Sequence, residues 1–209
     1  MKRIFFAYDV DEKLRERLAE ESRRFRRELQ DQARRLRWVE PERYHMTAVF
    51  LGDIEEERLA ALSELLGAPR LSRKVAVTLG PPLVFPKPRY PRVLVRSVSD
   101  GAEPLEAAAT LLRNALASAG FDFDGKPFRP HLTVAYLRKG SRSELAEIAR
   151  RWLASPPGSA EERREGCGGG GSDAYSAPAT GHVTALTLYE SVRRSHGPEY
   201  RAVTRRELE

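Results

Sequence analysis

Tyr44-His45-Met46-Thr47-Ala48-Val49-Phe50-Leu51 and Pro130-His131-Leu132-Thr133-Val134-Ala135-Tyr136-Leu137 decide the architecture of this chain. Laid over one another, both read His, apolar, Thr, apolar, apolar, aromatic, Leu. Each has the apolar and β-branched content of a strand. On a strand, residues i and i+2 share a face and stand about 6.6 Å apart. His45 therefore projects with Thr47, and His131 with Thr133. Strict alternation puts Met46, Ala48 and Phe50 on the opposite, core-facing side, and Leu132, Val134 and Tyr136 likewise. Each strand is expected to present one imidazole and one hydroxyl above an apolar backing.

Working outward, each tetrad has the same neighbours. Residues 4–8 read as a strand, and 12–36 as an amphipathic helix with Leu14, Leu18, Phe25 and Leu29 on one stripe. Trp38-Val39-Glu40-Pro41 ends that helix, because the residue before a proline is pushed out of helical geometry. After the first tetrad come a helix over 55–66, closed by Gly67, a strand over 75–79 and a proline-rich loop over 81–91. The second half repeats the order. A strand covers 92–98, a helix 103–119 is stopped by Gly120, and the tetrad strand covers 131–137. A helix over 143–153 and strands over 183–191 and 200–203 complete the pattern. The separation of the two leading strands matches that of the two histidines, so duplicated lobes around a pseudo-twofold axis are expected. That period is too long for a solenoid. Residues 1–209 then form a single bilobal α+β domain. Residues 155–180, rich in Gly and Ser, read as a flexible surface loop within it. They lack the strand, lysine and helix of a phosphate-binding loop.

The totals agree with this. The chain has 209 residues, of which 41% are hydrophobic and 32% charged, enough for one ordinary core. No apolar run approaches the roughly 20 residues of a membrane span. Asp9 arrives too soon for the apolar stretch of a signal peptide. Cys167 is the single cysteine, so no internal disulfide can form and a cytoplasmic location is expected. A net charge of +6 favours an anionic partner such as RNA.

If the lobes face each other, two imidazoles and two hydroxyls meet in one cleft. Hydrolysis of a cyclic phosphate needs a base to take a proton from water and an acid to protonate the departing oxygen. Imidazole does either near neutral pH. Threonine hydroxyls can donate to the non-bridging oxygens as charge builds there. A single His-x-Thr carries little weight, but two copies in matched contexts, in a chain with four histidines, carry much more. His182 and His196 lack such a context and read as ordinary strand-edge and loop residues. There is no His-x-x-x-His or Cys-x-x-Cys spacing for a metal, and no Gly-x-Ser-x-Gly elbow for a serine nucleophile.

The two tetrads resemble the signature of the 2H phosphoesterase superfamily. The whole chain is similar to its RNA 2′,3′-cyclic phosphodiesterase branch, historically the 2′-5′ RNA ligase family. The likeness includes Arg3-Ile4-Phe5-Phe6-Ala7, Arg37-Trp38-Val39-x-Pro41-Glu42 and Phe85-Pro86-Lys87-Pro88. It continues through Pro91-Arg92-Val93-Leu94, Pro127-Phe128-Arg129-Pro130 and Leu186-Thr187-Leu188-Tyr189-Glu190-Ser191. The resemblance implies two antiparallel sheets around a central cleft with outer helices. It implies hydrolysis of RNA 2′,3′-cyclic phosphate ends to 2′-phosphomonoesters without cofactor or metal, with reverse 2′-5′ ligation as an associated activity. His45 would be the proton donor and His131 the proton acceptor, with Thr47 and Thr133 on the phosphate. The residues alone leave that division open, since the halves are nearly symmetric. Arg129, Arg92 and Phe85 are further candidates for substrate contact. The partner expected is RNA or an oligonucleotide with a cyclic phosphate end, met by a monomer and not at a membrane. Two other readings stand beside this one: a phosphodiesterase for small cyclic nucleotides, and a non-catalytic RNA-binding module. The family's second tetrad commonly continues to an arginine where this chain has Tyr136.

Overall fold

In a computed structural model of the chain, which describes residues 1–155, 178–194 and 197–209, the first strand is β1 (Lys2–Val10). Ile4 to Val10 are all buried, so both faces of β1 are covered and its sequence runs apolar without alternation. Asp9 is the one charged residue in that run. Asp11 then caps α1 (Glu12–Leu29), its carboxylate accepting from the Leu14 N–H at 3.0 Å. The same carboxylate accepts from the His182 N–H and faces its Nδ1, which fixes the start of the helix to a later strand.

The helix stops at Leu29, seven residues short of the expected end. Leu36 continues the stripe by periodicity, but it is spent otherwise. Gln30 takes a positive φ of 49°, a 3-10 turn covers Gln30–Arg35, and β2 (Leu36–Trp38) pairs with a strand of the second half. Then follow β3 (His45–Ile54), α2 (Leu59–Glu64), β4 (Val75–Lys87), β5 (Tyr90–Val98) and α3 (Ala102–Ser118). The chain continues with β6 (His131–Leu137), α4 (Arg142–Leu153), β7 (Thr180–Arg194) and β8 (Gly197–Glu207). The glycine-rich stretch expected as a loop lies outside the described residues, apart from Ser155 and 178–180; so do Cys167 and His196.

The strands form two antiparallel sheets that share β4. In the first, β3 pairs with β1, β1 with β7, and β7 with both β8 and the first residues of β4. In the second, the rest of β4 pairs with β5, β5 with β6, and β6 with β2. The stretch expected as a proline-rich loop is thus most of a hairpin. Its prolines are tolerated because this part of β4 is the outer edge of its sheet, and because register shifts fall at Pro82 and Pro86.

The pseudo-twofold relation is present, and the halves exchange parts. The first half lends β2 to the second sheet, and the second half lends β7 to the first. Helices cross over as well. The Tyr8 hydroxyl of β1 donates to the Leu105 carbonyl of α3, whereas α1 reaches β5 through the buried ion pair of Glu21 with Arg96. Trp152 of α4 closes this second core. It is wholly buried against Phe25 of α1, its Nε1 donates to the Leu83 and Val95 carbonyls at 3.1 and 3.2 Å, and the Arg96 guanidinium lies over its ring. Trp152→Ala should lower unfolding stability by about 3–5 kcal/mol in a urea titration. A loss below about 1 kcal/mol would contradict the packing described.

Candidate active site

His45 opens β3 and His131 opens β6, and each binds the backbone carbonyl two residues upstream. His45 Nδ1 lies 2.8 Å from the Arg43 carbonyl oxygen, and His131 Nδ1 lies 2.6 Å from that of Arg129. A carbonyl only accepts, so Nδ1 carries the proton in both rings and Nε2 is left with the lone pair. The two imidazoles belong to strands that lie against one another, near enough that charge on His131 disfavours charge on His45. Burial is the main influence on each. It lowers both below the ordinary imidazole value, while the bond to the upstream carbonyl partly restores them. Thr47 and Thr133 are half-buried on the same faces, opposite Ala7 and Val95. Among the described residues neither threonine hydroxyl has an intramolecular hydrogen bond, which leaves both to a ligand.

Strict alternation fails two residues beyond each threonine. Between the Thr47–Ala7 and Val49–Phe6 pairs, Ala48 is an extra residue; between Thr133–Val95 and Ala135–Leu94, Val134 is. Both are bulges at the same place in the repeat. Ala48 with Val49, and Val134 with Ala135, all go into the core. The aromatic that follows turns to the histidine side. Phe50, expected in the core, lies opposite Phe5, whose ring is 5.3 Å from His45, and the Arg3 guanidinium sits over it. Tyr136, also expected in the core, lies opposite Val93 and Arg37, with the Arg37 guanidinium 4.2 Å from its ring centre. A guanidinium therefore stands beside Tyr136.

Aromatic rings fill the space around both imidazoles. Tyr200 meets His45 edge-on at 5.1 Å, and Phe85 meets His131 edge-on at 5.0 Å. Phe5 stacks on Tyr189 beside His45. Burial, reinforced by Tyr136, pushes the Tyr200 hydroxyl up to about 12, so it stays neutral across the working pH range. Of the remaining candidates, only Phe85 touches an imidazole. Arg129 serves His131 through its carbonyl, while its side chain lines a separate depression between α3 and residues 125–129. Arg92 is exposed, the extra residue between the Phe85–Val93 and Pro86–Pro91 pairs.

The symmetry breaks at Asp9. It lies directly opposite His45 across β1 and β3, whereas Ser97 holds the matching place opposite His131. Asp9 is only 2% exposed. It accepts from the Thr187 and Tyr189 hydroxyls, each at 2.7 Å, with Arg205 at 3.7 Å. Its charge raises the proton affinity of His45, and His131 has no such neighbour. Sequence reasoning passed over Asp9, Phe5, Arg37, Tyr189 and Tyr200. The signal for Asp9 was present, as the one carboxylate ending an otherwise apolar strand.

Among the described residues no three His, Cys, Asp or Glu side chains converge as a metal site would require, and no helix is long and apolar enough to cross a membrane. The chain is similar to an RNA 2′,3′-cyclic phosphodiesterase of Archaeoglobus fulgidus, 32% identical over 77% of this chain and 86% of the relative. A protein of the same name from Aeropyrum pernix is 28% identical over 80% and 84%. Among solved structures, TT0787 of Thermus thermophilus superposes with a TM-score of 0.69 at 23% identity, covering 99% of this chain and 97% of that one. E. coli LigT complexed with 3′-AMP superposes with a TM-score of 0.68 at 24% identity, covering 99% and 98%; these two show the fold. The sequence model described as LigT like Phosphoesterase matches twice, over residues 11–95 and 96–168, one match for each histidine strand. The chain belongs to the LigT-like phosphoesterase family of the 2H superfamily.

Proposed function

We propose that this protein hydrolyses the 2′,3′-cyclic phosphate end of RNA to a 2′-phosphomonoester, with His45 as acid and His131 as base. The observation that carries the reading is the pair of imidazoles on facing strands, each with Nδ1 tied to a carbonyl and Nε2 without a hydrogen-bond partner among the described residues. The names of the curated relatives support the substrate class.

In this reading His131 Nε2 takes a proton from water as the water oxygen bonds to phosphorus. The bond from phosphorus to the ribose 3′ oxygen breaks, and His45 Nε2–H gives that oxygen its proton. Acid and base lie on opposite strands of a pseudo-twofold pair, which suits a displacement with entering and leaving oxygens in line. Thr47 and Thr133 donate to the non-bridging oxygens. A 5′-hydroxyl admitted in place of water would give a 2′-5′ linkage by the same steps. Asp9 supports this division of labour. A carboxylate opposite His45 offsets part of the desolvation that lowers its proton affinity, and an uncharged Ser97 holds the matching place opposite His131.

His45→Ala and His131→Ala should each lower kcat on a cyclic-phosphate oligonucleotide by roughly 10²–10⁴. Near wild-type turnover by either variant would reject the mechanism. Digestion of the product with a 3′-specific phosphatase should leave its phosphate in place, as for a 2′-monoester; release would reverse the assumed leaving group.

The pH dependence follows from the two lowered imidazoles. Activity rises with pH as His131 loses its proton, and falls as His45 loses its own. Because kcat/KM reports the free enzyme, its optimum should lie on the acid side of 6.5. Asp9→Asn removes the charge that raises His45, so the alkaline limb should move to lower pH while the acid limb stays. Ser97→Ala should move neither. An unchanged alkaline limb in the Asp9 variant would refute its role.

A further inference from the structure

The last turn of α1, the 3-10 turn after it, β2 and the residue following β6 enclose a groove of 720 Å³. It runs along the free edge of the second sheet, where β2 is the last strand. Arg26, Arg27, Arg34, Arg37 and Arg138 line it, with the half-buried Trp38, and only Asp31 and Glu40 oppose them in charge. Arg26, Arg27, Arg34 and Arg138 are exposed, and among the described residues none of the four is ion-paired. Arg37 belongs both to the groove and to the surround of the histidine cleft. That guanidinium lies over Tyr136, which faces Tyr200, which meets His45 edge-on at 5.1 Å.

We propose that this groove holds the ribose-phosphate backbone of the RNA preceding the cyclic end, so that the enzyme recognises an RNA strand as well as a terminus. The inference rests on the function proposed above. A cyclic phosphate is the 3′ end of its strand, so with that end between the imidazoles the remaining nucleotides leave in one direction, across the rim of the cleft. Arg37 marks a rim that leads into a basic channel. Guanidinium forks match phosphate oxygens in pairs, and a basic groove beside an aromatic ring is the usual design for single-stranded nucleic acid. A peptide partner would need an apolar anchor, and none of the large exposed hydrophobic residues, Met1, Tyr90, Leu111, Leu153 and Val203, lies here.

The test compares wild type with the triple variant Arg27→Glu, Arg34→Glu, Arg138→Glu. The substrates are a twelve-nucleotide RNA ending in a 2′,3′-cyclic phosphate and adenosine 2′,3′-cyclic phosphate. The variant should lose at least about tenfold in kcat/KM on the RNA and less than about twofold on the mononucleotide, which also reports that it is folded. The slope of log Kd against log salt for the same RNA carrying a terminal phosphate should shrink by about 2, at roughly 0.7 for each phosphate no longer neutralised. Equal loss on both substrates, or no loss on the RNA, would overturn the proposal. Wild type that hydrolyses neither substrate would refute the proposed function instead; the groove would then stand or fall by the RNA-binding comparison alone. Failure of wild-type protein to bind the RNA at low salt would overturn it in favour of a different anionic partner.

Discussion

Each imidazole of the proposed site is held by one short hydrogen bond, from Nδ1 to the carbonyl two residues upstream. That bond fixes the tautomer, leaves Nε2 on the far side of the ring, and partly offsets the desolvation that lowers the proton affinity of both rings. The rest of the architecture serves to bring two such arrangements face to face. Strand pairing places a threonine two residues on, and the shared bulge then sends two residues into the core and brings an aromatic back to the cleft.

The exchange of parts between halves explains how the cleft keeps its shape. β2 and β7 each complete the other half's sheet, and α1 and α3 each back strands of the opposite sheet. The Glu21–Arg96 pair sits in that crossing, where burial pushes the Glu21 carboxyl up against the pull of the guanidinium. A pair buried in this way adds little net stability, but losing one partner strands a charge in the core, so it fixes how helix and sheet meet. The lobes are also joined by β4, whose first residues pair in one sheet and whose later residues pair in the other. The proposed mechanism needs such a preorganised cleft, because charge develops between the imidazoles.

Much of this was legible in the residues. The two tetrads and their flanking elements announced the repeat, the antiparallel α+β fold and the shared face of each histidine with its threonine. What stayed hidden depends on pairing. Leu36 keeps the helical period of α1, yet it belongs to an edge strand, because β6 offers it a partner. Pro81, Pro82, Pro86, Pro88 and Pro91 look like a loop, but lie in a hairpin whose outer edge needs few donors. Phe50 and Tyr136 were placed on the wrong face because a bulge leaves no mark in an apolar stretch. The roles of Asp9 and Arg37 depend on cross-strand neighbours, which a single sequence does not show.

The proposed chemistry depends on the tautomer of the two rings. Nitrogen-15 NMR of the histidine side chains above neutral pH measures it directly, with assignments from His45→Gln and His131→Gln. Both rings should carry hydrogen on Nδ1 and a lone pair on Nε2. Hydrogen on Nε2 of the neutral His131 ring would contradict the mechanism, because no lone pair of the base could then face the phosphate; hydrogen on Nε2 of neutral His45 would contradict the Nδ1 bond to the Arg43 carbonyl.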